Sequence, residues 1–306
     1  MKFPKFKGKA VLSPMAGVTD VAFRTLCKKY KAAITYTEFL SSTAIVRNNK
    51  KTWEMLKTSE IEKPVAVQLF GNNEKEVIQA AKNIQNNFDI IDINCGCPAW
   101  KVIRTGAGSE LLKEPKKIAN FINKLSSSIN IPVSLKIRSG IDNNNINAIE
   151  VARLAEENGA AAIAIHGRTQ KQGYTGTADW DIIKEIKEQV KIPVIGNGDI
   201  FTPEQFKEKL NFSKVDAIMI GRGAISNPYI FQQIEDYLKT NKYKSKDKKE
   251  LFLEYLELSK EFNINYSLVK NHAISFTKGI EGGSKIRDKL AKVKSIKEIE
   301  NIYDNF

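Results

Sequence analysis

The sequence predicts an α/β protein: a (β/α)8 TIM barrel over residues 1–240, followed by a small all-helical C-terminal domain over residues 241–306. Three observations predict it. Eight short β-rich apolar runs recur along the chain, a helix-like stretch follows each of them, and beyond Pro228 the alternation gives way to amphipathic helices alone.

The runs, in order, are AVLSPMA (10–16), AAITYTEF (32–39), VAVQLFG (65–71), IIDINCG (90–96), VSLKIR (133–138), AAIAIHGR (161–168), PVIGNGDI (193–200) and DAIMIGRGA (216–224). They are near-continuously apolar, as expected of parallel strands covered by helices. Between them, residues 73–85 and 146–159 repeat apolar residues at helical spacing, and the second stretch stops at Asn158-Gly159. Thr202-Pro203-Glu204-Gln205 reads as a capping box with proline at the first helical position. An open doubly wound sheet is the alternative. It usually has fewer strands and a glycine fingerprint after the first, whereas here the first run enters Pro14-Met15-Ala16-Gly17. A polar stretch at 240–249 reads as a linker, and ELFLEYLELSKEF, YSLVKNHAISFTKGI and IRDKLAKVKS beyond it read as three amphipathic helices.

The chain of 306 residues is 42% apolar, enough for a sizeable core. No stretch has the length and apolarity of a membrane span and no leader-like segment is evident, so a soluble cytoplasmic protein is expected. Three cysteines, Cys27, Cys95 and Cys97, give no disulfide framework. The formal charge of +13, spread along the chain, favours a polyanionic partner such as nucleic acid, or else reflects a lysine-rich surface.

In such a barrel, chemistry gathers at the C-terminal ends of the strands. Here those ends carry Pro14-Met15-Ala16, Glu38, Gln68, Asn94 to Cys97, Lys136, His166 to Arg168, Asn197-Gly198-Asp199 and Gly221-Arg222. The glycines after the seventh and eighth runs would let backbone N–H groups approach a phosphate, with Arg222 adding charge, or would simply serve tight turns. Gln68 carries both donor and acceptor for a heteroaromatic edge, and Lys136 suits a Schiff base or a hydrogen bond to an electron-rich ring. Cys95 and Cys97 have no second cysteine pair, so no metal is expected, and a disulfide between them is geometrically poor. Cys97 is instead a candidate proton donor or nucleophile, an unperturbed thiol being mostly protonated near neutrality. The loop that follows, with Lys101, Arg104 and several glycines, reads as a lid. His272 reads as structural.

Taken together, SPMAGVTD, TEFLSS, VQLFG, DINCGCPAWKV, GAGSELL, SLKIRSG, IHGRT, GYTGTADW, IGNGDI, IMIGRGA and KNHAISFTKGI resemble the tRNA-dihydrouridine synthases, in family order and over almost the whole chain. The resemblance implies that Pro14, Met15, Ala16, Gln68, Lys136, His166, Asn197, Gly198, Asp199, Gly221 and Arg222 hold flavin mononucleotide (FMN). It implies Cys97 as proton donor, Asn94, Lys101 and Arg168 as substrate ligands, and a helical tail that grips tRNA. The implied reaction reduces a uridine to 5,6-dihydrouridine with NADPH or NADH as reductant, hydride passing to C6 and a proton from Cys97 to C5. Cys95 and Lys270 depart from the family pattern. A small-molecule pyrimidine oxidoreductase of the dihydroorotate dehydrogenase type and a non-catalytic RNA-binding protein are the competing readings, with a phosphosugar aldolase using Lys136 behind them.

Overall fold

Alternation along each strand decides which side chains face the inside of a barrel, and it is visible throughout this chain in a computed structural model that describes residues 1–305. The strands are β1 (Ala10–Leu12), β2 (Thr35–Ser41), β3 (Val65–Phe70), β4 (Ile90–Cys95), β5 (Val133–Arg138), β6 (Ala162–His166), β7 (Val194–Asn197) and β8 (Ala217–Ile220). All neighbours pair in parallel, in the order β1-β8-β7-β6-β5-β4-β3-β2. The ring closes through backbone bonds from Leu12 N–H to Ile34 O (3.0 Å) and from Ala33 N–H to Ala10 O (2.8 Å).

The outward residues, such as Val67, Ile93, Leu135, Ile163 and Ile218, enter the large core beneath the surrounding helices. Inward residues form a second, smaller core in which Ala66, Ala162, Ala164 and Ala217 leave room for Tyr36, Ile90, Ile195 and Met219. Small inward residues are what a tapered barrel interior requires. The first run, expected to extend over 10–16, stops as a strand at Leu12 because Pro14–Thr19 turns: Thr19 N–H bonds Met15 O at 3.0 Å and Gly17 N–H bonds Glu38.

Helices around the barrel are α1 (Val21–Lys29), α2 (Ser42–Val46), α3 (Lys50–Glu54), α4 (Glu74–Ile84), α5 (Trp100–Ile103), α6 (Pro115–Ser128), α7 (Ala148–Glu157), α8 (Trp180–Gln189), α9 (Pro203–Ser213), α10 (Arg222–Ile225) and α11 (Ile230–Thr240). The box expected at Thr202 forms: its hydroxyl accepts from Gln205 N–H at 3.3 Å, and the Gln205 side chain accepts from Thr202 N–H at 3.2 Å.

Beyond α11 come α12 (Lys248–Glu261), α13 (Tyr266–Phe276), α14 (Gly283–Lys292) and α15 (Ile296–Asp304). The last was not expected. Its signal lay in Ser295 and Glu298: the Ser295 hydroxyl accepts from Glu298 N–H at 3.2 Å, which starts the helix. Phe252, Tyr255, Phe276 and Tyr303 bury the apolar faces of these helices. Two bonds tie them to the barrel's first turn. Tyr255 donates to Asp20 at 3.1 Å, and His272 Nε2 lies 3.0 Å from Val18 O, its ring stacked on Phe23. The structural role read for His272 is therefore what the fold gives it.

Candidate active site

Six strands in succession turn one side chain into the uppermost interior layer: Gln68, Asn94, Lys136, His166, Asn197 and Met219. Register puts Asn94 opposite Lys136, His166 opposite Asn197, and Asn197 opposite Met219. Above them opens a cavity of about 550 Å³. Its lining includes Pro14, Met15, Ala16, Cys97, Gly198, Asp199, Gly221 and Arg222 as well as those six. Every residue expected to hold a cofactor thus faces one space, together with Cys97 and Asn94. Lys101 and Arg168 do not line it.

Beneath this layer lies a polar group that the sequence reading passed over. Asp92, fully buried, accepts from Ser134 Oγ (2.6 Å) and from Gln68 Nε2 (2.7 Å). A carboxylate can only accept, so the Gln68 amide is oriented with Oε1 toward Asn94, whose Nδ2 donates to it at 2.8 Å. Asn94 Oδ1 must then face the following loop, where it accepts from Gly96 N–H (3.1 Å) and Cys97 N–H (2.9 Å). The chain from Asp92 ends on the backbone of Cys97. The Cys97 carbonyl is held as well, by Ser109 N–H at 3.1 Å and Ser109 Oγ at 2.8 Å. The segment expected as a lid is therefore pinned at this point, and it contains α5 and a 3-10 turn over Gly108–Lys113. Cys95, one residue off in the alternation, packs behind β4 in the outer core, as Cys27 does beneath α1.

Charge follows the same geometry. Burial pushes the Cys97 thiol up, and the Ala99 backbone, Arg138 and Lys136 only partly offset it, so the group keeps its proton. Burial lowers Lys136 to about 8, with Arg138 adding to the effect. His166 is held far below its usual value, first by burial and then by Lys136, Arg138, Arg168 and Arg222, and so is a neutral imidazole. Its side chain offers one donor and one acceptor.

Arg168 is only 2% exposed, and most of its guanidinium donors are spent within the protein. It bonds Asp199 twice, at 2.9 and 2.8 Å, and reaches Thr175 O and Gly176 O. The structure thus sets Arg168 against Asp199 and the 175–176 turn, outside the cavity lining, where a substrate would have to come to it. Burial works to raise the Asp199 carboxyl, but Arg168, the Ala178 N–H and Arg222 outweigh it and hold the group below the usual range. Asp199 therefore presents backbone to the cavity while its carboxylate fixes Arg222 at 2.9 Å. Gly198 has φ 143°, and an added Cβ there would run into the Ala178 methyl group. Turn geometry and close approach both require this glycine.

Three lining residues were quoted in motifs but given no role. Tyr174 lies under the Arg222 guanidinium, 4.8 Å from ring centroid to Cζ, and closes one side of the mouth. Arg138 staples two loops through Gly96 O (3.0 Å) and Thr169 O (2.7 Å). Phe39 contributes an apolar wall. In the tail, Lys270 donates to Ala291 O at 2.6 Å and so closes the end of α14.

The family model described as Dihydrouridine synthase (Dus) matches residues 11–305. The tRNA-dihydrouridine synthase B of Shewanella oneidensis is 42% identical over 237 residues, covering 77% of this chain and 74% of the relative. That of Vibrio vulnificus is 37% identical over 319 residues, 98% and 97% of the two chains. Among solved structures, the barrel is similar to histamine dehydrogenase from Rhizobium sp. 4-9 (TM-score 0.61, 13% identity, 83% of this chain and 49% of that one). It is also similar to the 6-hydroxypseudooxynicotine amine oxidase of Pseudomonas geniculata N1 (TM-score 0.60, 12% identity, 76% and 48%). The chain spans about half the length of those two structures, and the likeness is one of fold.

Proposed function

The chain belongs to the dihydrouridine synthase family, and on that premise we propose that it reduces a uridine of tRNA to 5,6-dihydrouridine, with FMN held in the barrel-mouth cavity and NADPH or NADH as reductant. The observation that carries this reading is the meeting of Cys97, Asn94, Gln68 and Lys136 in one cavity with the glycine turns at 198 and 221.

The donor set fits FMN. The phosphate would lie against Gly198-Asp199 and Gly221-Arg222, where Arg222 adds charge and the first N–H groups of α10 lack intrahelical acceptors. Gln68, Lys136, His166 and Asn197 would meet the polar edge and ribityl chain, with Pro14, Met15 and Ala16 as a wall. When bound, the flavin supplies the hydride that adds to uracil C6. Cys97, kept protonated by burial, donates the proton to C5. Asn94 spends one amide hydrogen on Gln68 and keeps the other for a uracil carbonyl. Arg168 acts through Asp199 and the 175–176 turn, and Lys101, exposed on α5, is placed to meet an RNA phosphate. Helices α12 to α15 would carry the main tRNA contacts, in the cytoplasm where that substrate is found.

The test is direct. Purified protein with FMN, NADPH and unmodified tRNA should yield dihydrouridine by mass spectrometry, at a position that is unmodified in a strain lacking the gene. Oxidation of dihydroorotate with no product on tRNA would replace this reading by the small-molecule one, and the absence of a flavin band after reconstitution would replace it by a non-catalytic one.

A further inference from the structure

We propose that Trp100 is a stacking platform for a nucleotide flanking the extruded uridine, in a groove alongside the active cavity. This rests on the tRNA reading above and adds to it a contact for a second base.

Trp100 opens α5, three residues beyond Cys97, and is 69% exposed. Neighbouring Val102 is buried and anchors the helix, so the fold does not depend on the indole. Beside it lies a second cavity of about 550 Å³, lined by Trp100, Ile103, Arg104, Lys113 and Lys171, which shares Pro98 with the first. One wall of Pro98 therefore faces the reaction space and the other faces this groove.

Its chemistry selects an occupant. Lys113 is paired with Glu110, the groove's one acid, and Lys171 with Asp142, both at 2.6 Å and both with the lysine exposed. Arg104 has no ion-pair or hydrogen-bonded side-chain partner among the described residues. An open aromatic face ringed by cations matches a base with its phosphate, the combination by which single-stranded RNA is bound. A protein partner would favour a core depleted of charge, and this groove is rich in it. A uridine that leaves its stack also separates its neighbours, and a flat apolar surface near Cys97 offers one of them a new stack.

Trp100→Ala and Trp100→Phe test this, read against the wild-type enzyme in three ways. The Ala variant should weaken tRNA binding by about 5- to 150-fold, the range for one lost base–aromatic stack, and raise KM for tRNA accordingly. The Phe variant should recover most of that loss. The slope of log affinity against log salt should be the same in all three, because stacking releases no counterions. Flavin content and flavin reduction by NADPH without tRNA should not change. Wild-type affinity in Trp100→Ala, no recovery with Phe, or a shallower salt slope in the Ala variant would each overturn the platform. A wild-type enzyme that makes no dihydrouridine would sink the underlying reading instead, so the two failures are told apart.

Discussion

Asp92 lies one layer below the cavity with Gln68 and Ser134 donating to its carboxylate. Burial pushes its carboxyl up to about 6 against the opposing pull of those donors and of Lys136. A folded value above the unfolded one means that the folded protein binds this proton more tightly. Asp92 therefore weakens the fold above pH 6, and that burden lifts as pH falls through 6 toward 4. The rise corresponds to about 3 kcal/mol. Asp92→Asn should raise the thermal midpoint at pH 8 and leave it near that of the wild type at pH 4; an equal shift at both would show that charge is not the cause. At Cys97 the expected effect is on rate. Cys97→Ala should keep flavin affinity and lose about 10²- to 10⁴-fold in kcat for tRNA, measured by single-turnover product formation. Cys97 was legible because a thiol after an apolar run, between glycine and proline, has few structural reasons to be there. Asp92 was not, because IIDINC gives no sign of which face is interior until the barrel closes. The pairing of Arg168 was hidden for a related reason: sequence position puts it at the mouth, and only the fold brings Asp199 against it.

At the scale of elements, the barrel was legible where apolar runs and capping residues agree. Thr202 shows how local that agreement is. Its cap starts α9 and so fixes the loop that carries Gly198 and Asp199. Thr202→Ala should cost about 1 kcal/mol in urea unfolding with an unchanged m-value. Short irregular elements were harder to read. The segment after Cys97 has glycines that suggest freedom, yet Ser109 binds the Cys97 carbonyl and α5 forms within four residues. Helix α15 escaped because its composition, IKEIENIYD, is mostly polar and its burial rests on Ile299 and Tyr303. Its N-terminal serine and Glu298 were the better signal.

Over the whole molecule, the formal charge of +13 and the helices after α11 suit a large polyanion, and the barrel mouth suits a flat ligand. The contacts between barrel and tail could not be read from either part alone. Tyr255, Asp20, His272 and Val18 are distant in sequence and meet only when α12 and α13 pack on α1. Tyr255→Phe removes one of these bonds and should lower stability by about 1 kcal/mol in chemical denaturation, with flavin still bound. The turn that receives these bonds also supplies Met15 to the cavity wall. A ligand that steadies that wall through this turn also favours docking of the tail, and the coupling free energy is the same read from either side. Adding FMN should thus slow tryptic cutting at the exposed Lys242 and Lys244, which do not line the cavity. An RNA seated on the tail should, by the same reciprocity, slow the escape of the flavin.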